Sequence, residues 1–452
     1  MSAQIVVIGA GPAGIRAAEC LVKAGIRPIV IDEGARAGGQ IYRRPPDGFR
    51  RSARMLYGSE AAKARGLHTL FDAMVEHDQV SHIERASVIA IAGSEVHVLR
   101  GGEVERIGFQ RLVIATGATD RVVPIPGWEC GGVYTLGAAQ IALKAQGVAL
   151  GKSIVLLGSG PLLTLVATQL RTAGANVVAV LDTSSLNQQL GGIVDMASRP
   201  AVLLRGLAMR LRLGNVYAAG VAIDRIEASV DGPVAVHWRT GAGKAQVTSC
   251  DTVCVGWHLR SETHLADLAQ VRFAYDDLWR QWLPVADAMG RAAPNIYLAG
   301  DSLRPLGADA AELTGRLAAY ACLTDMGLQV AHHASDLRTL RRLQRFARGV
   351  AKAFPWPDQH VKALPPDTIL CRCENVSISS AKAAAELGGA EVNRIKSLAR
   401  VGMGRCQGRY CQLAEAELAA MWQGRPTSDV GRLRQQAPVR PTQVSAWLSG
   451  KP

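Results

Sequence analysis

The 452-residue sequence contains no run of 18 or more uncharged apolar residues, so it predicts no transmembrane helix. It also lacks a basic, apolar, cleavable leader, because the first residues pass almost directly into a strand-like pattern. We therefore expect a cytoplasmic protein and leave open a peripheral attachment to the inner membrane. Thiols stay reduced in that compartment, so the nine cysteines do not predict a disulfide framework, and their spacing raises the question of a metal site instead.

Aromatic residues are few, at 5% of the chain, but hydrophobic residues make up 48% and are sufficient for buried cores. The length predicts about three domains. The net charge is +13, yet the arginines fall in separate stretches at 43–54, at 338–348 and in the C-terminal tail. Because the charge is dispersed, we predict solvated basic faces and an acidic protein partner, and no nucleic-acid partner.

The N-terminal segment "QIVVIGAGPAGIRAAECLVKAGIRPIVIDEG" has the pattern of a strand, a glycine turn, an Ala-rich helix and a second strand. In such a βαβ unit Gly9 permits the tight turn, Gly11 lets the backbone approach a pyrophosphate, and Gly14 allows close packing of helix on strand. The pyrophosphate then lies at the positive end of the helix. An acidic residue about 20 positions later binds the adenosine ribose, and Asp32 or Glu33 fits this position.

Three further segments indicate the identity of the bound dinucleotide. They are "GARAGGQIYRR" at 34–44, "RLVIATGATDRVVPIPG" at 111–127 and "NIYLAGDSL" at 295–303. In this order they resemble segments of the two-dinucleotide-domain flavoproteins, the family of the thioredoxin reductase-like enzymes. The resemblance implies FAD as the cofactor. The cofactor-binding residues that the turn and the resemblance together indicate are Gly9, Gly11, Pro12, Ala13, Gly14, Asp32, Glu33, Gly38, Gly39, Gln40, Thr116, Gly117, Gly300 and Asp301.

A second βαβ pattern, "SIVLLGSGPLLTLVATQLRTAGANVVAVLDTSS", begins 149 residues after the first and makes an internal repeat. It has Gly158, Gly160 and a terminal Asp182, but Leu163 stands at the third glycine position. In the resembled family this inserted domain binds NAD(P)H. Because a leucine side chain keeps helix and strand apart, we expect a degenerate site. No arginine directly follows Asp182 to receive a 2′-phosphate, so we expect a bound nucleotide, if any, to be NAD or an adenine nucleotide rather than NADP.

Disulfide reductases of this family carry a pair of cysteines beside the flavin, spaced Cys-x-x-Cys or Cys-x4-Cys. Here the cysteine nearest a comparable position is Cys130, which has no partner, and Cys20, Cys250, Cys254 and Cys322 fall in strand or helix patterns typical of a core. Dithiol chemistry at the flavin is therefore disfavoured. We assign no catalytic residue.

Near the C-terminus, Cys371 and Cys373 in "CRCENVS" are separated by 32 residues from Cys406 and Cys411 in "CQGRYC". Four thiolates in two close pairs can converge on one soft metal centre. Cys-x-Cys is shorter than the gap usual in structural zinc sites, whereas ligation of an iron–sulfur cluster by four cysteines suits the arrangement. We predict these four residues as metal ligands, with zinc as the rival.

This segment resembles the bacterioferritin-associated-ferredoxin-like [2Fe-2S] domain, although the second pair there is usually Cys-x-x-Cys. Behind a two-dinucleotide-domain flavoprotein, it resembles the FAD- and cluster-bearing subunits of hetero-oligomeric amino-acid and opine dehydrogenases over about residues 1–425. The resemblance implies electron transfer from flavin through [2Fe-2S] to an external acceptor such as a quinone or carrier. It also implies a partner of the D-amino-acid-oxidase type that carries the substrate site, allows for a further small subunit, and allows for FMN at a subunit interface.

We therefore predict an α/β protein with two Rossmann-like dinucleotide-binding domains and a small C-terminal α+β [2Fe-2S] domain. Two rival functions remain: a self-sufficient NADH-dependent flavoprotein reductase, and a regulatory or structural nucleotide-binding subunit with zinc at the cysteines. The predicted division is FAD domain at 1–125 and 253–330, inserted domain at 126–252, helical and Pro-rich linker at 331–365, [2Fe-2S] domain at 366–425 and tail at 426–452.

Overall fold

The computed structural model describes residues 4–46, 48–49, 51–330 and 334–448. The first residues of the predicted FAD domain, the start of the predicted linker at 331 and the end of the predicted tail lie outside these residues. The described chain has two parallel sheets, each flanked by helices, and a C-terminal part packed against both. The predicted α/β class with two Rossmann-like units is confirmed.

The first sheet has six strands, and the N-terminal glycine turn lies near its centre. Its strands are parallel except for one edge strand, and the central strand Ile5–Ile8 is completely buried, as its unbroken apolar sequence predicts. The strands in spatial order are Arg291–Ala293, Ile296–Leu298, Arg111–Ile114, Ile5–Ile8, Ile29–Ile31 and Ser81–Ile83. An antiparallel sheet of Ala86–Ala92, Glu95–Arg100 and Glu103–Gly108 follows the last of them.

The second sheet repeats this arrangement with five parallel strands. In spatial order they are Tyr217–Ala219, Val177–Asp182, Ile154–Ser159, Thr252–Trp257 and Val133–Thr135. A separate antiparallel sheet is formed by Ala222–Ser229, Gly232–Arg239 and Ala245–Ser249. The Thr252–Trp257 strand belongs to the second sheet. The predicted domain boundary at 253 falls inside this strand.

Two antiparallel strands, Ala118–Asp120 and Leu259–Ser261, connect the sheets where the chain leaves the first unit and returns to it. After the return, Phe273–Asp276 and Gln281–Pro284 form a hairpin, and the chain then completes the first sheet. Both crossings therefore lie next to each other in space, although they are about 140 residues apart in the sequence.

Helices cover both sheets. The Pro12–Lys23 helix, which is the Ala-rich helix that the sequence predicts, packs along the Ala308–Thr324 helix. The other helices before the C-terminal part are Ala53–Tyr57, Ala61–Glu76, Leu136–Ile141, Pro161–Thr172, Leu186–Gly191, Ile193–Met196, Pro200–Leu213, His264–Leu268 and Ala334–Ala353. Within the described residues, none of the helices has the length and apolar content needed to span a membrane.

The C-terminal part is a small unit of one two-stranded sheet and several helices. Its strands are Ile369–Cys371 and Val376–Ser377, and its helices are Asp358–Lys362, Ile378–Gly388, Val392–Ala399, Gln412–Gln423 and Ser445–Leu448. One apolar cluster contains Val155 and Val253 of the second sheet together with Leu370 and Ile395 of this unit. The C-terminal unit is thus packed on the flavoprotein-like units through a continuous core.

The segment beyond 425 also packs on the body of the protein. Val439 is 2% exposed and its amide donates to the Ile89 carbonyl over 2.9 Å, while Ala446 lies in an apolar cluster with Ile89 and Val104. The described part of the predicted tail is therefore an ordered part of the fold.

Candidate functional site

The first glycine turn has the close contacts that its sequence predicts. A Cβ at Gly14 would lie 1.7 Å from the Gly9 carbonyl oxygen, so helix and turn approach each other more closely than any other residue allows. A Cβ at Gly9, where φ is +104°, would lie 2.4 Å from the carbonyl oxygen of Ala115. Glycine at these two positions is required by the fold itself.

Gly11 differs from its neighbours because the space in front of it is open. A Cβ there would meet only Gly39, at an ordinary 3.6 Å from its Cα. Gly11 is the N-cap of the Pro12–Lys23 helix, no side chain caps this helix, and its first turn has no acidic residue. The positive end of the helix is therefore free to receive an anionic group, which fits the pyrophosphate of FAD.

The other predicted flavin-binding residues gather around the same helix end. The Gly38 amide donates to the Ala10 carbonyl over 2.8 Å, and a Cβ at Gly300 would lie 2.9 Å from the Cβ of Ala13. Thr116 and Gly117 follow the Arg111–Ile114 strand, which pairs with the central strand of the same sheet. The side chain of Gln40 is exposed and accepts a hydrogen bond from Arg43.

The two candidate ribose acids occupy different environments. Asp32 accepts hydrogen bonds from the Ala10 and Gly34 amides, both at 2.6 Å, and burial raises the pKa of its carboxyl group. Glu33 points away and pairs through both carboxylate oxygens with Arg440, at 2.7 and 2.8 Å. Asp32 is thus the acid beside the glycine turn, and Glu33 connects the sheet to the C-terminal segment.

Asp301 lies beyond the end of the Ile296–Leu298 strand. Its carboxylate accepts hydrogen bonds from the Leu306 and Gly307 amides at 3.0 and 3.3 Å. Burial raises its pKa to about 6. The side chain is held in place by backbone donors, which is the fixed geometry that a cofactor-binding carboxylate requires.

The second glycine turn is occupied by the protein's own side chains. Asp182 is 1% exposed and accepts hydrogen bonds from Tyr217 Oη at 2.6 Å and from the Ser184 amide at 2.9 Å. The His258 ring lies over Gly160, 3.4 Å from where a Cβ would stand. Leu163 is completely buried in the core. The acid at the ribose position is therefore bonded to a neighbouring side chain, Tyr217, and the His258 ring contacts the turn.

The four C-terminal cysteines are brought together in two pairs. The thiols of Cys371 and Cys411 lie close enough to interact with each other, and so do those of Cys373 and Cys406. The interaction with Cys411, opposed by burial and reinforced by backbone donors, lowers the pKa of Cys371 to about 6, and the same contact raises the pKa of Cys411. Cys371 and Cys411 are buried, whereas Cys373 is exposed.

Gly404 allows the two cysteine segments to meet. A Cβ at this position would lie 2.3 Å from the Cβ of Cys373. A side chain there would therefore force the 403–411 loop away from the segment that carries Cys371 and Cys373. In the part of the chain that the structure describes, no three His, Cys, Asp or Glu side chains are close enough to hold a single metal ion. The arrangement is thus two adjacent thiol pairs rather than one tetrahedral cage.

Two residues that the sequence analysis did not single out connect the cysteine loop to the flavin-binding unit. Arg409, between Cys406 and Cys411, donates from Nε to Glu262 Oε2 over 2.7 Å and from Nη1 to the Cys406 carbonyl over 3.1 Å. The backbone of Glu262 is hydrogen-bonded to Thr116 and Gly117. Both residues have the sequence appearance of ordinary surface charges, so only the fold reveals the contact.

The cysteine segments also contact the second unit, through Trp128. Trp128 is 1% exposed and donates from its indole nitrogen to the Ile369 carbonyl over 2.6 Å. The Arg372 guanidinium lies over the rings of both Trp128 and Tyr410, 5.0 and 5.4 Å from their centroids. Since Arg372 stands between two cysteines and Tyr410 precedes a third, this stack helps to hold the two cysteine segments together.

Comparisons with known proteins agree with this architecture. The pyridine nucleotide-disulphide oxidoreductase family model matches residues 3–336, and the sarcosine oxidase A3 domain model matches residues 368–451. The opine oxidase A subunit of Rhizobium meliloti is 35% identical over 98% of this chain and 86% of its own length. Hydrogen cyanide synthase subunit HcnB of Pseudomonas protegens is 30% identical over 99% of this chain and 98% of its own.

Solved structures share the fold at lower identity. L-proline dehydrogenase from P. horikoshii superposes with a TM-score of 0.72 at 19% identity, covering 98% of this chain and 79% of that one. Thioredoxin reductase of T. acidophilum superposes with a TM-score of 0.51 at 17% identity, covering 72% of this chain and 98% of that one. The resemblance to flavoprotein subunits predicted from the motifs is therefore confirmed.

The fold of the family binds FAD, and the open helix end at Gly11 fits it. The relatives named above are subunits of larger oxidases and synthases. The chain belongs to the pyridine nucleotide-disulphide oxidoreductase family, as an FAD-dependent oxidoreductase subunit related to the A subunits of opine oxidases and to hydrogen cyanide synthase subunit HcnB.

Proposed function

We propose that this chain is the electron-transfer subunit of a multi-subunit amino-acid or opine dehydrogenase. It binds FAD at the first glycine turn and a [2Fe-2S] cluster at Cys371, Cys373, Cys406 and Cys411, and it delivers electrons to an external acceptor such as a quinone or carrier. The observation that carries the proposal is the meeting of four cysteines in two thiol pairs, on a unit packed against an FAD-binding fold.

The pairing of the thiols favours a two-iron cluster over zinc. A [2Fe-2S] cluster takes four cysteines, two on each iron, whereas a structural zinc ion needs all four sulfurs around one point. The contacts of Cys371 with Cys411 and of Cys373 with Cys406 supply two such pairs.

The remaining described cysteines do not offer another route for electrons. Burial raises the pKa of Cys254 and Cys322 to about 12 and that of Cys20 and Cys250 to about 11, so these thiols stay protonated and unreactive. Cys130 is half-buried, and burial raises its pKa too. A disulfide reductase mechanism at the flavin therefore lacks its dithiol among the described residues.

The substrate site is assigned to a partner chain. The relatives are named as subunits, and we propose a flavoprotein partner of the D-amino-acid-oxidase type that oxidises the C–N bond to an imine. A flavin accepts the two electrons as a hydride and releases them singly, and a two-iron cluster carries one electron at a time. This chain's own residues supply the pyrophosphate-binding turn, the four thiolates and the packed contact between them. FMN at the interface between chains is compatible with this assembly, and so is a further small subunit.

The proposal is tested by metal and flavin analysis of the full-length chain purified without oxygen. We expect about two iron atoms and one FAD per chain, and a paramagnetic signal after reduction. Cys406→Ser should lose the iron and the signal but keep FAD, whereas Cys322→Ser, at a buried cysteine away from the pairs, should keep both. Stoichiometric zinc without iron in the wild-type protein would reject the relay and favour the structural alternative.

A further inference from the structure

We propose that Glu262 and Arg409 are a pair of positioning residues that fixes the Cys406–Cys411 loop against the flavin-binding unit and sets the electrostatic potential at the cysteines. The inference rests on the proposed function, because it assumes that the four thiols hold a redox cluster. It concerns residues that take no part in binding either cofactor directly. Its evidence is an unbroken series of short contacts between the two predicted cofactor sites.

The series begins at the flavin-binding unit. Thr116 Oγ1 donates to the Glu262 carbonyl over 3.0 Å, and the Glu262 amide donates to the Gly117 carbonyl over 3.0 Å. Thr116 and Gly117 are predicted flavin-binding residues at the end of the Arg111–Ile114 strand. The backbone of Glu262 is therefore fixed from two sides by the segment that borders the flavin.

The series ends at the cysteine loop. The carboxylate of Glu262 receives Arg409 Nε at 2.7 Å, and Arg409 Nη1 donates to the Cys406 carbonyl at 3.1 Å and to the Val439 carbonyl at 3.3 Å. Arg260 adds a hydrogen bond from Nη1 to the Arg409 carbonyl at 3.0 Å. One guanidinium thus joins the Glu262 carboxylate, the cysteine loop and the C-terminal segment.

The pair is buried, so its charges act strongly on their surroundings. The side chain of Arg409 is 7% exposed and that of Glu262 is 11% exposed. Burial alone raises the pKa of Glu262, but its interactions with His264, Arg409 and Arg260 outweigh burial and hold the pKa well below the ordinary value. Glu262 is therefore ionised, and an ion pair in so dry an environment is costly to break on one side only.

The pair also lies close to the cysteines. Arg260 interacts electrostatically with Cys406 and Cys411, and Arg409 lies in the loop between them. A nearby cation favours the addition of an electron to a thiolate-bound centre, and a nearby carboxylate opposes it. Arg409 and Glu262 should therefore shift the reduction potential in opposite directions, whereas a purely structural role would give both substitutions the same effect.

The experiment uses the full-length protein with its flavin and iron. Glu262→Gln, Arg409→Gln and the double variant are compared with wild type for iron content, FAD content and the midpoint potential of the iron signal, measured by redox titration. Asp267→Asn is the matched control, because Asp267 forms a similar partly buried pair with Arg432 of the C-terminal segment, at 2.6 and 2.7 Å.

We expect a lower midpoint potential in Arg409→Gln, a higher one in Glu262→Gln, a value close to wild type in the double variant and no change in Asp267→Asn. Equal potentials in all variants, or shifts in the same direction for both single variants, would overturn the inference. If Arg409→Gln loses its iron, the inference is tested with Glu262→Gln alone. An unchanged or lower midpoint potential in Glu262→Gln then overturns the inference. Absence of iron from the wild-type protein rejects the proposed function itself, which separates the two failures.

Discussion

Individual glycines in the first turn serve different purposes, and the structure separates them. Gly14 lies against the Gly9 carbonyl and Gly9 lies against Ala115, so both are needed for the fold. Gly11 has free space in front of it at the open end of a helix. A substitution at Gly11 should therefore affect the ligand, and one at Gly14 should affect stability.

We predict that Gly11→Val gives a folded protein without FAD, because its side chain would stand where the pyrophosphate approaches the helix. The measurement is the flavin absorbance of the purified variant together with its circular dichroism and melting temperature. Gly14→Val is the comparison: its Cβ would overlap a backbone oxygen, and we expect destabilisation of about 3 kcal/mol or more. Full FAD content in folded Gly11→Val would show that this turn does not hold the flavin.

Asp182 gives a prediction about pH. Burial raises its pKa to about 6 from an ordinary value of 3.8, so the native state takes up a proton more readily than the unfolded state. The raised pKa contributes about 3 kcal/mol to the free energy of unfolding. This contribution is complete below about pH 4 and is lost as the pH rises through about 6. Relative to wild type, Asp182→Asn should therefore gain stability between pH 4 and pH 7.

The check is the melting temperature of both proteins at the two pH values, with Asp231→Asn as a control at an exposed position. The melting temperature of Asp182→Asn minus that of wild type should be more positive at pH 7 than at pH 4. A difference that is equal at both pH values would show that the Asp182 carboxyl is not perturbed by burial.

At the scale of elements, the contacts that hold the C-terminal unit come from distant parts of the chain. The Gln412–Gln423 helix carries Glu417, which is 1% exposed and binds Arg280 of the Phe273–Pro284 hairpin through two hydrogen bonds of 2.9 and 2.6 Å. Arg280 also lies 3.6 Å from Asp358, in the Asp358–Lys362 helix within the predicted linker. The Arg280–Glu417 pair therefore connects the Gln412–Gln423 helix, the hairpin and the linker.

Glu417→Gln should loosen this docking, because the buried carboxylate that compensates Arg280 is lost; we expect about 2–3 kcal/mol of destabilisation. Limited proteolysis should cut the variant faster within residues 354–366, and its C-terminal unit should unfold at lower denaturant concentration. Glu386→Gln removes an exposed pair with Lys382 at 3.8 Å and should change stability by less than about 0.5 kcal/mol. Equal cleavage of Glu417→Gln and wild type would mean that the pair does not hold the unit in place.

Local patterns predicted the elements well, and long-range contacts explain what was missed. Strand, glycine turn and helix are coded within about 30 residues, so the two βαβ units could be predicted directly from the sequence. The contact of Glu262 with Arg409 spans 147 positions and has no local signal. Sequence spacing likewise could not distinguish Asp32, beside the turn, from Glu33, which binds Arg440.

The whole molecule contains two nucleotide-type units, and in the second the protein's own side chains contact the glycine turn and its terminal acid. In the second, Asp182 is bonded to Tyr217 and Ser184, and His258 covers part of the turn. We therefore expect NADH to reduce the flavin slowly or not at all. Stopped-flow absorbance of the full-length protein mixed with NADH measures this directly. Rapid stoichiometric reduction at micromolar NADH would instead establish a self-sufficient reductase.

Electron flow through the assembled complex is the most direct test of the account. The complex of this chain with its substrate-bearing partner is compared with the same complex containing Cys406→Ser, and two rates are measured: flavin reduction by the amino-acid or opine substrate, and reduction of an external one-electron acceptor. We predict that flavin reduction is preserved in the Cys406→Ser complex and that transfer to the acceptor falls at least about tenfold, since one cluster ligand is lost. Transfer to the acceptor at the wild-type rate would contradict the relay through these cysteines.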